Sequence, residues 1–482
     1  MVSHWQRPSA SAFDRPPATT MLKPASFTMI WFAMTLTETS PLTAAYFDFL
    51  SRCKTGVEVC DFIHQEALKH GFADASAVHD GGRLKISLRL NKRCGILLSI
   101  GDFANIDKGL KLLATHVDSP RLDLKPAPAT EKYGIGTLQT RYYGGVRFYQ
   151  WVGMPLELHG RGQRADGTSF SVRIGREADE PVFTISDLAP HLRHQPEGGP
   201  KNSTTITAEH LNLISGLRGS DSEAGRPAKV FETLLQALDL KPEDFVTGEF
   251  EAVPAVAPRY IGFGGDLIGA YGHDNRSCTF AALHAMFDID DENGNYGFVF
   301  TDREEVGSQG IHGADSNMLE RFLFEVFEKF GDNNYFRLRR AISNSVMVSG
   351  DVNVACDPTW SGPTDENNSG HLGKGVCIAK YTGARGKRGA SEADSSLVGQ
   401  MRNIMIREGI AWQPGELGKV DFGGGGTVAM HFTRQGVQVF DMGPPVLGMH
   451  SPFEILSTED LKTTRDAYAA FLKDFTIENP IA

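Results

Sequence analysis

Gly109-Leu-Lys-Leu-Leu-Ala-Thr-His-Val-Asp118 decides the reading of the fold. Its first seven residues form a nearly continuous apolar run, the pattern of a central strand buried on both faces of a helix-covered sheet. His116 follows at the strand end, and α/β sheets place their ligand sites at the carboxyl ends of their strands. Working upstream, Arg83-Leu-Lys-Ile-Ser-Leu-Arg-Leu90 alternates with period two and Gly95-Ile-Leu-Leu-Ser-Ile100 is a second apolar run. Apolar residues at helical spacing between Leu42 and His70 predict two helices around a hinge at Lys54-Thr-Gly56. Downstream, helices are expected at 276–288, 315–330, 335–342, 394–409 and 458–474, alternating with strands at 296–301, 346–351 and 436–441. Strands alternating with helices specify an α/β fold, a three-layer sandwich around a mainly parallel mixed sheet.

Residues 123–258 break that rhythm with glycines, aromatic-rich strands such as Phe148-Tyr-Gln-Trp-Val152 and a Pro/Gly/Asn/His-rich loop near 190–205. They read as an inserted β-rich domain, which splits the α/β domain into 34–122 and 259–482. Residues 1–33, rich in Pro, Ser, Thr and Arg, read as a disordered or wrongly included extension, with Met34 as the start.

Lys and Arg total 48 against 59 Asp and Glu, a net charge of −11, which argues against a nucleic-acid partner because tracking phosphates needs a basic footprint. No span reaches the roughly 20 apolar residues of a membrane helix, so no membrane partner is expected. The six cysteines include no CxxC pair, consistent with reduced thiols and a cytoplasmic location. The 52 glycines cluster in runs such as Gly144-Gly145, Gly262-Phe-Gly-Gly265 and Gly423 through Gly426, where backbone turns tightly or approaches something closely.

Five residues stand at strand ends or in the turns after them: His116, Asp274, Glu305, Asp351 and His450. Singly they are weak signals, since Asp274 also fits a helix N-cap and Glu304-Glu305 a solvated acidic turn. Together they supply two imidazoles and three carboxylates to one sheet edge, a donor mixture suited to two divalent ions, Zn²⁺ above all, with Co²⁺ or Mn²⁺ as alternatives. Glu304 is then free to move protons, and Asp118 can orient His116. Nothing offers a nucleotide cradle, because GxxxxGK[ST] is absent and Leu267 spoils the only approach to GxGxxG. Hydrolysis of a peptide or related acyl bond is the chemistry this set suggests.

With those residues assembled, the chain closely resembles the bacterial branch of the aspartyl aminopeptidase family. The matching segments are Ala114 through Pro126, Gly272-His-Asp-Asn-Arg276, Asp302-Arg-Glu-Glu-Val-Gly-Ser308, Ser349-Gly-Asp351, Gly423-Gly-Gly-Gly-Thr427 and Met449-His-Ser-Pro452, in family order from about 40 to 475. The resemblance implies a dinuclear zinc aminopeptidase that attacks the peptide with a water or hydroxide bridged between its metals. Asp274 matches the bridging carboxylate, His116 and Asp351 the ligands of one metal, Glu305 and His450 those of the other. Glu304 matches the catalytic base and Asp118 the partner of His116. His191, in Ala189-Pro-His-Leu-Arg193, matches a histidine that reaches a neighbouring subunit's site, with a satisfied loop histidine as the alternative. The resemblance further implies an inserted domain used for oligomer contacts, and dimers assembled into a tetrahedral dodecamer.

On the substrate side, Lys380, Tyr381, Gly425 and Thr427 are the expected contacts, with Arg385 and Lys387 in the same basic, glycine-rich segment. Those cations imply a preference for acidic N-terminal residues, although a solvated basic loop fits them as well. A di-metal N-acyl amino-acid deacylase is the alternative activity.

Overall fold

The computed structural model describes residues 39–79, 81–189, 191, 206–217, 228–389 and 391–478. The expectation for residues 1–33 lies outside them. Three principal sheets organise the chain, which is α/β with mixed strand directions. The largest has nine strands, in the order Ala73–Asp74, Leu84–Leu90, Cys94–Ile100, Asn295–Thr301, Lys111–His116, Val346–Ser349, Gln438–Gly443, Val376–Ala379 and Trp412–Pro414. Its middle strands run parallel, with Thr301 level with His116, and Ser349 level with both Ala114 and Asp441. Strand residues alternate between two apolar clusters. Leu97, Leu113, Phe298, Val348 and Phe440 join one, packed with the helices Pro41–Arg52, Gly56–Lys69, His273–Asp288, Ser395–Glu408 and Thr458–Asp474. Ile96, Leu98, Leu112, Val299, Met347 and Val439 join the other, with the helices Met318–Lys329 and Tyr335–Ser343. This two-sided burial is why those strands read as unbroken apolar runs.

An antiparallel six-stranded sheet takes Ser169–Ile174, Leu156–Gln163, Glu249–Pro254, Arg121–Lys132, Ile135–Tyr143 and Leu213–Leu217, over a third cluster around Trp151, Leu158, Phe245 and Phe250. A five-stranded sheet with no forewarning in the sequence pattern joins Arg259–Ile261, Leu267–Ala270, Glu454–Ser457, Pro445–Leu447 and Asn353–Val354.

Buried charge joins the six-stranded sheet to the first helices. Lys54 lies 2.9 Å from Glu157 and donates to the carbonyls of Pro254 and Val256. Arg176 bridges Glu157 at 3.3 Å and Glu58 at 3.1 Å, while His159 lies between the same carboxylates at 3.6 and 3.3 Å. Glu157 is fully buried, so its removal would leave Lys54 without a counter-charge in a dry setting. Glu157→Leu is therefore expected to destabilise the protein by about 3–5 kcal/mol, measured as a lower urea midpoint.

Candidate metal centre and substrate cavity

The nine- and five-stranded sheets deliver residues to one place. His116 closes Lys111–His116, Glu304 and Glu305 form a single 3₁₀ turn just after Asn295–Thr301, and Asp351 follows Val346–Ser349. Asp274 and His450 come from the five-stranded sheet, just beyond Leu267–Ala270 and Pro445–Leu447. Gly272, at φ 78°, turns the chain into the helix bearing Asp274, and a Cβ there would fall 1.4 Å from the Arg276 guanidinium, so only glycine fits.

The two imidazoles are set alike. His116 Nδ1 donates to the Asp118 backbone carbonyl at 3.1 Å, leaving Nε2 to face Asp274 Oδ1 at 3.2 Å and Asp351 Oδ1 at 3.5 Å. His450 Nδ1 donates to the Gly145 carbonyl at 3.1 Å, leaving Nε2 to face Asp274 Oδ2 at 3.2 Å and Glu305 Oε2 at 3.4 Å. Asp274 therefore presents one oxygen to each histidine. Two donors sharing a tetrahedral zinc at about 2.0–2.1 Å lie about 3.3 Å apart, the spacing seen in all four of these pairs.

Two further observations fit a cation. Asp274 Oδ1 and Glu305 Oε1 are buried without a hydrogen-bond partner among the described residues, although both are acceptors turned inward. Burial also raises the Glu304 carboxyl to about 8, with His116 opposing and the charges of Asp351, Asp118 and Asp274 adding, and it raises Glu305 and Asp351 as well. Carboxyls so crowded ionise together only beside added positive charge, which divalent ions provide. The compact donor triplets, with atoms within 4.8 Å of one another, are His116, Asp274, Glu305 and His116, Glu304, Asp351. Glu304 Oε2 is thus near the same space, 3.9 Å from His116 Nε2.

Asp118 does more than face His116. Its carboxylate accepts the Tyr143 hydroxyl at 2.8 Å and the N–H groups of Glu304 and Glu305 at 3.2 Å each, fixing the turn that carries both glutamates. Burial pushes its pKa upward, but the hydrogen bond and charge of His116 outweigh that and hold it below the usual value. Glu454, which sequence reasoning missed, plays a matching part: it accepts the N–H of Asp274 at 3.0 Å and of His450 at 2.7 Å. Its position four residues after His450 was the available signal.

A cavity of about 590 Å³ opens onto the cluster and is lined by Tyr381, Arg385, Lys387, Gly425 and Thr427. Lys380 is not among its lining residues; its ammonium lies over the Tyr381 ring at 5.0 Å. Lys387 is paired with Glu392 at 2.8 Å, and Thr427 Oγ1 donates to the buried Asp441 at 2.6 Å. His191 is exposed and does not line the cavity of its own chain.

A family model described as Aminopeptidase I zinc metalloprotease (M18) matches residues 49–472. The chain belongs to the M18 peptidase family. A Thermotoga maritima protein named "Probable M18 family aminopeptidase 1" is 37% identical over 448 residues, covering 92% of this chain and 98% of that protein. The crystal structure of the Thermotoga maritima M18 aminopeptidase superposes with a TM-score of 0.86 at 37% identity, over 90% of this chain and 96% of that one. Aminopeptidase I from Clostridium acetobutylicum gives 0.82 at 34% identity, over 90% and 95%. The yeast mApe1 dodecamer, 20% identical, shares the fold at 0.70 over 89% and 96%. This M18 chain is accordingly a metallo-aminopeptidase, a peptide hydrolase of a zinc family. No helix among the described residues is long and apolar enough to cross a membrane.

Proposed function

We propose that this M18 aminopeptidase holds two zinc ions, one between His116, Asp351 and Asp274 and one between Glu305, His450 and Asp274, and removes N-terminal residues from peptides. The division of the two Asp274 oxygens between the two imidazoles is the observation that supports it. Zinc held there supplies Lewis acidity, which acidifies water and polarises the scissile carbonyl. Glu304, whose Oε2 lies 3.9 Å from His116 Nε2, takes the proton of the attacking water and passes it to the leaving amine. Asp118 and the Gly145 carbonyl keep the two imidazoles in the tautomer that leaves Nε2 bare. Asp441 secures Thr427, which with Gly425 and Tyr381 lines the substrate space.

Arg385 lines that space with no carboxylate partner among the described residues, which supports a preference for acidic N-terminal side chains. Lys380 contributes through the ring of Tyr381. His191 is exposed on its own chain and so is free to donate a hydrogen bond in a neighbouring subunit's site. We read residues 123–258 as an inserted oligomerisation domain in a three-layer catalytic unit, and the assembly as dimers joined into a tetrahedral dodecamer. The six free cysteines agree with a cytoplasmic setting.

Zinc-loaded protein is expected to hydrolyse Asp- and Glu-nitroanilides faster than Leu or Ala derivatives and to leave N-acetylated peptides intact. Faster turnover of the Leu or Ala compounds would remove the acidic preference. Cleavage of acetylated amino acids would replace the aminopeptidase with a deacylase.

A further inference from the structure

The hairpin around residues 383–388 divides the space in front of Glu304. Gly383 and Ala384 pair with Gly425 and Gly424, and Ala384 and Arg388 exchange backbone hydrogen bonds of 3.0 and 2.7 Å that close the turn. On one side lies the cavity containing the metal donors, lined by Arg385 and Lys387. On the other lies a chamber of about 310 Å³, lined by Arg388, His431, Met430 and Ser308. Glu304, Gly425, Gly426 and Thr427 border both, whereas none of the five metal donors borders the smaller one.

That placement has a chemical meaning under the aminopeptidase reading above, on which this inference rests. If Glu304 hands its proton to the leaving amine, the residue that bears that amine must lie beside Glu304, with its own carboxyl end directed away from the metal donors. The smaller chamber meets both conditions. Its charge is also lopsided: apart from Glu304 no carboxylate lines it, and Arg388 has no carboxylate partner among the described residues, unlike its neighbour Lys387. His431 Nδ1 donates to Asp315 at 3.0 Å, and Asp315 also takes Arg434 at 2.9 Å, so Nε2 is the open nitrogen of that ring. An unpaired guanidinium fork suits a carboxylate.

We propose that this chamber is a subsite for the residue on the far side of the scissile bond, in which Arg388 binds a carboxylate, foremost the free α-carboxylate of a dipeptide. The test uses zinc-loaded full-length protein and three substrates sharing the N-terminal residue that the nitroanilide panel ranks fastest: a dipeptide ending in alanine, its C-terminal amide, and the amide of the corresponding dipeptide ending in aspartate. The free dipeptide is expected to show a KM about tenfold below its amide, as for one charge-assisted hydrogen-bonded pair. Arg388→Gln is expected to collapse that ratio to about one, and Arg388→Lys to restore part of it. If the aspartate amide matches the alanine amide, the α-carboxylate is the ligand; if it matches the free dipeptide, Arg388 takes side-chain carboxylates as well. Equal KM values for the acid and the amide, or a preference that survives Arg388→Gln, would overturn the subsite alone. Failure to hydrolyse any of the three would overturn the aminopeptidase reading and the subsite with it.

Discussion

Glu304→Gln is expected to lower kcat by roughly 10²–10⁴-fold while the zinc content of the purified protein stays the same. Glutamine keeps the length and shape of the side chain but carries no negative charge and cannot accept the proton. The backbone would not shift, because the turn bearing Glu304 is held through main-chain N–H groups on Asp118, which the substitution leaves alone. Metal analysis matters as much as kinetics, since Glu304 stands among the donors near His116 and Asp351. A variant that lost zinc along with activity would make Glu304 a ligand. One that kept both zinc and activity would remove it from the mechanism.

Asp274→Ala is expected to abolish hydrolysis and to drop bound zinc from about two ions per chain to fewer than one. Among the described residues no other donor faces both imidazoles: Oδ1 faces His116 and Oδ2 faces His450, so one truncation opens both half-sites. The rest of the residue is tied down by its main chain, with its N–H on Glu454 and its carbonyl accepting from Ser119 at 2.6 Å. Alanine therefore removes the carboxylate without releasing the segment, and the variant should retain the wild-type circular dichroism spectrum. Retention of a full zinc complement would show that Asp274 does not join the two positions.

The strand-borne part of the site was legible because each residue ends or follows an apolar run. His116, Asp351 and the glutamate pair could be placed on one sheet edge from the alternation of strands and helices alone. Asp274 and His450 were not readable that way. The strands before them, Leu267–Ala270 and Pro445–Leu447, have 4 and 3 residues, too short for any period to register. They stood out through their glycine-rich turns and the family resemblance. Glu454 and Tyr143 escaped notice because each contacts a group that only tertiary structure brings within reach, the Asp274 main-chain N–H for Glu454 and the Asp118 carboxylate for Tyr143. Boundaries drifted for similar reasons: the helix expected from 315 begins at Met318, and the strand expected at 436–441 is Gln438–Gly443, set by pairing with Val346–Ser349.

The pair Gly144-Gly145 belongs to the stretch we propose as an insertion, yet it abuts the candidate metal donors. A Cβ on Gly145 would lie 2.9 Å from His450 Nδ1, and one on Gly144 would lie 3.2 Å from Glu305 Oε2. Together with Tyr143, which grips Asp118, these residues tie that stretch to the candidate site. It is thus no detachable module. An engineer who excised it to obtain a minimal monomeric peptidase would also remove the carbonyl that orients one histidine and the hydroxyl that steadies the other's partner. On the oligomerisation role proposed for that stretch, redesign of the assembly starts from its surface positions and leaves residues 143–145 in place.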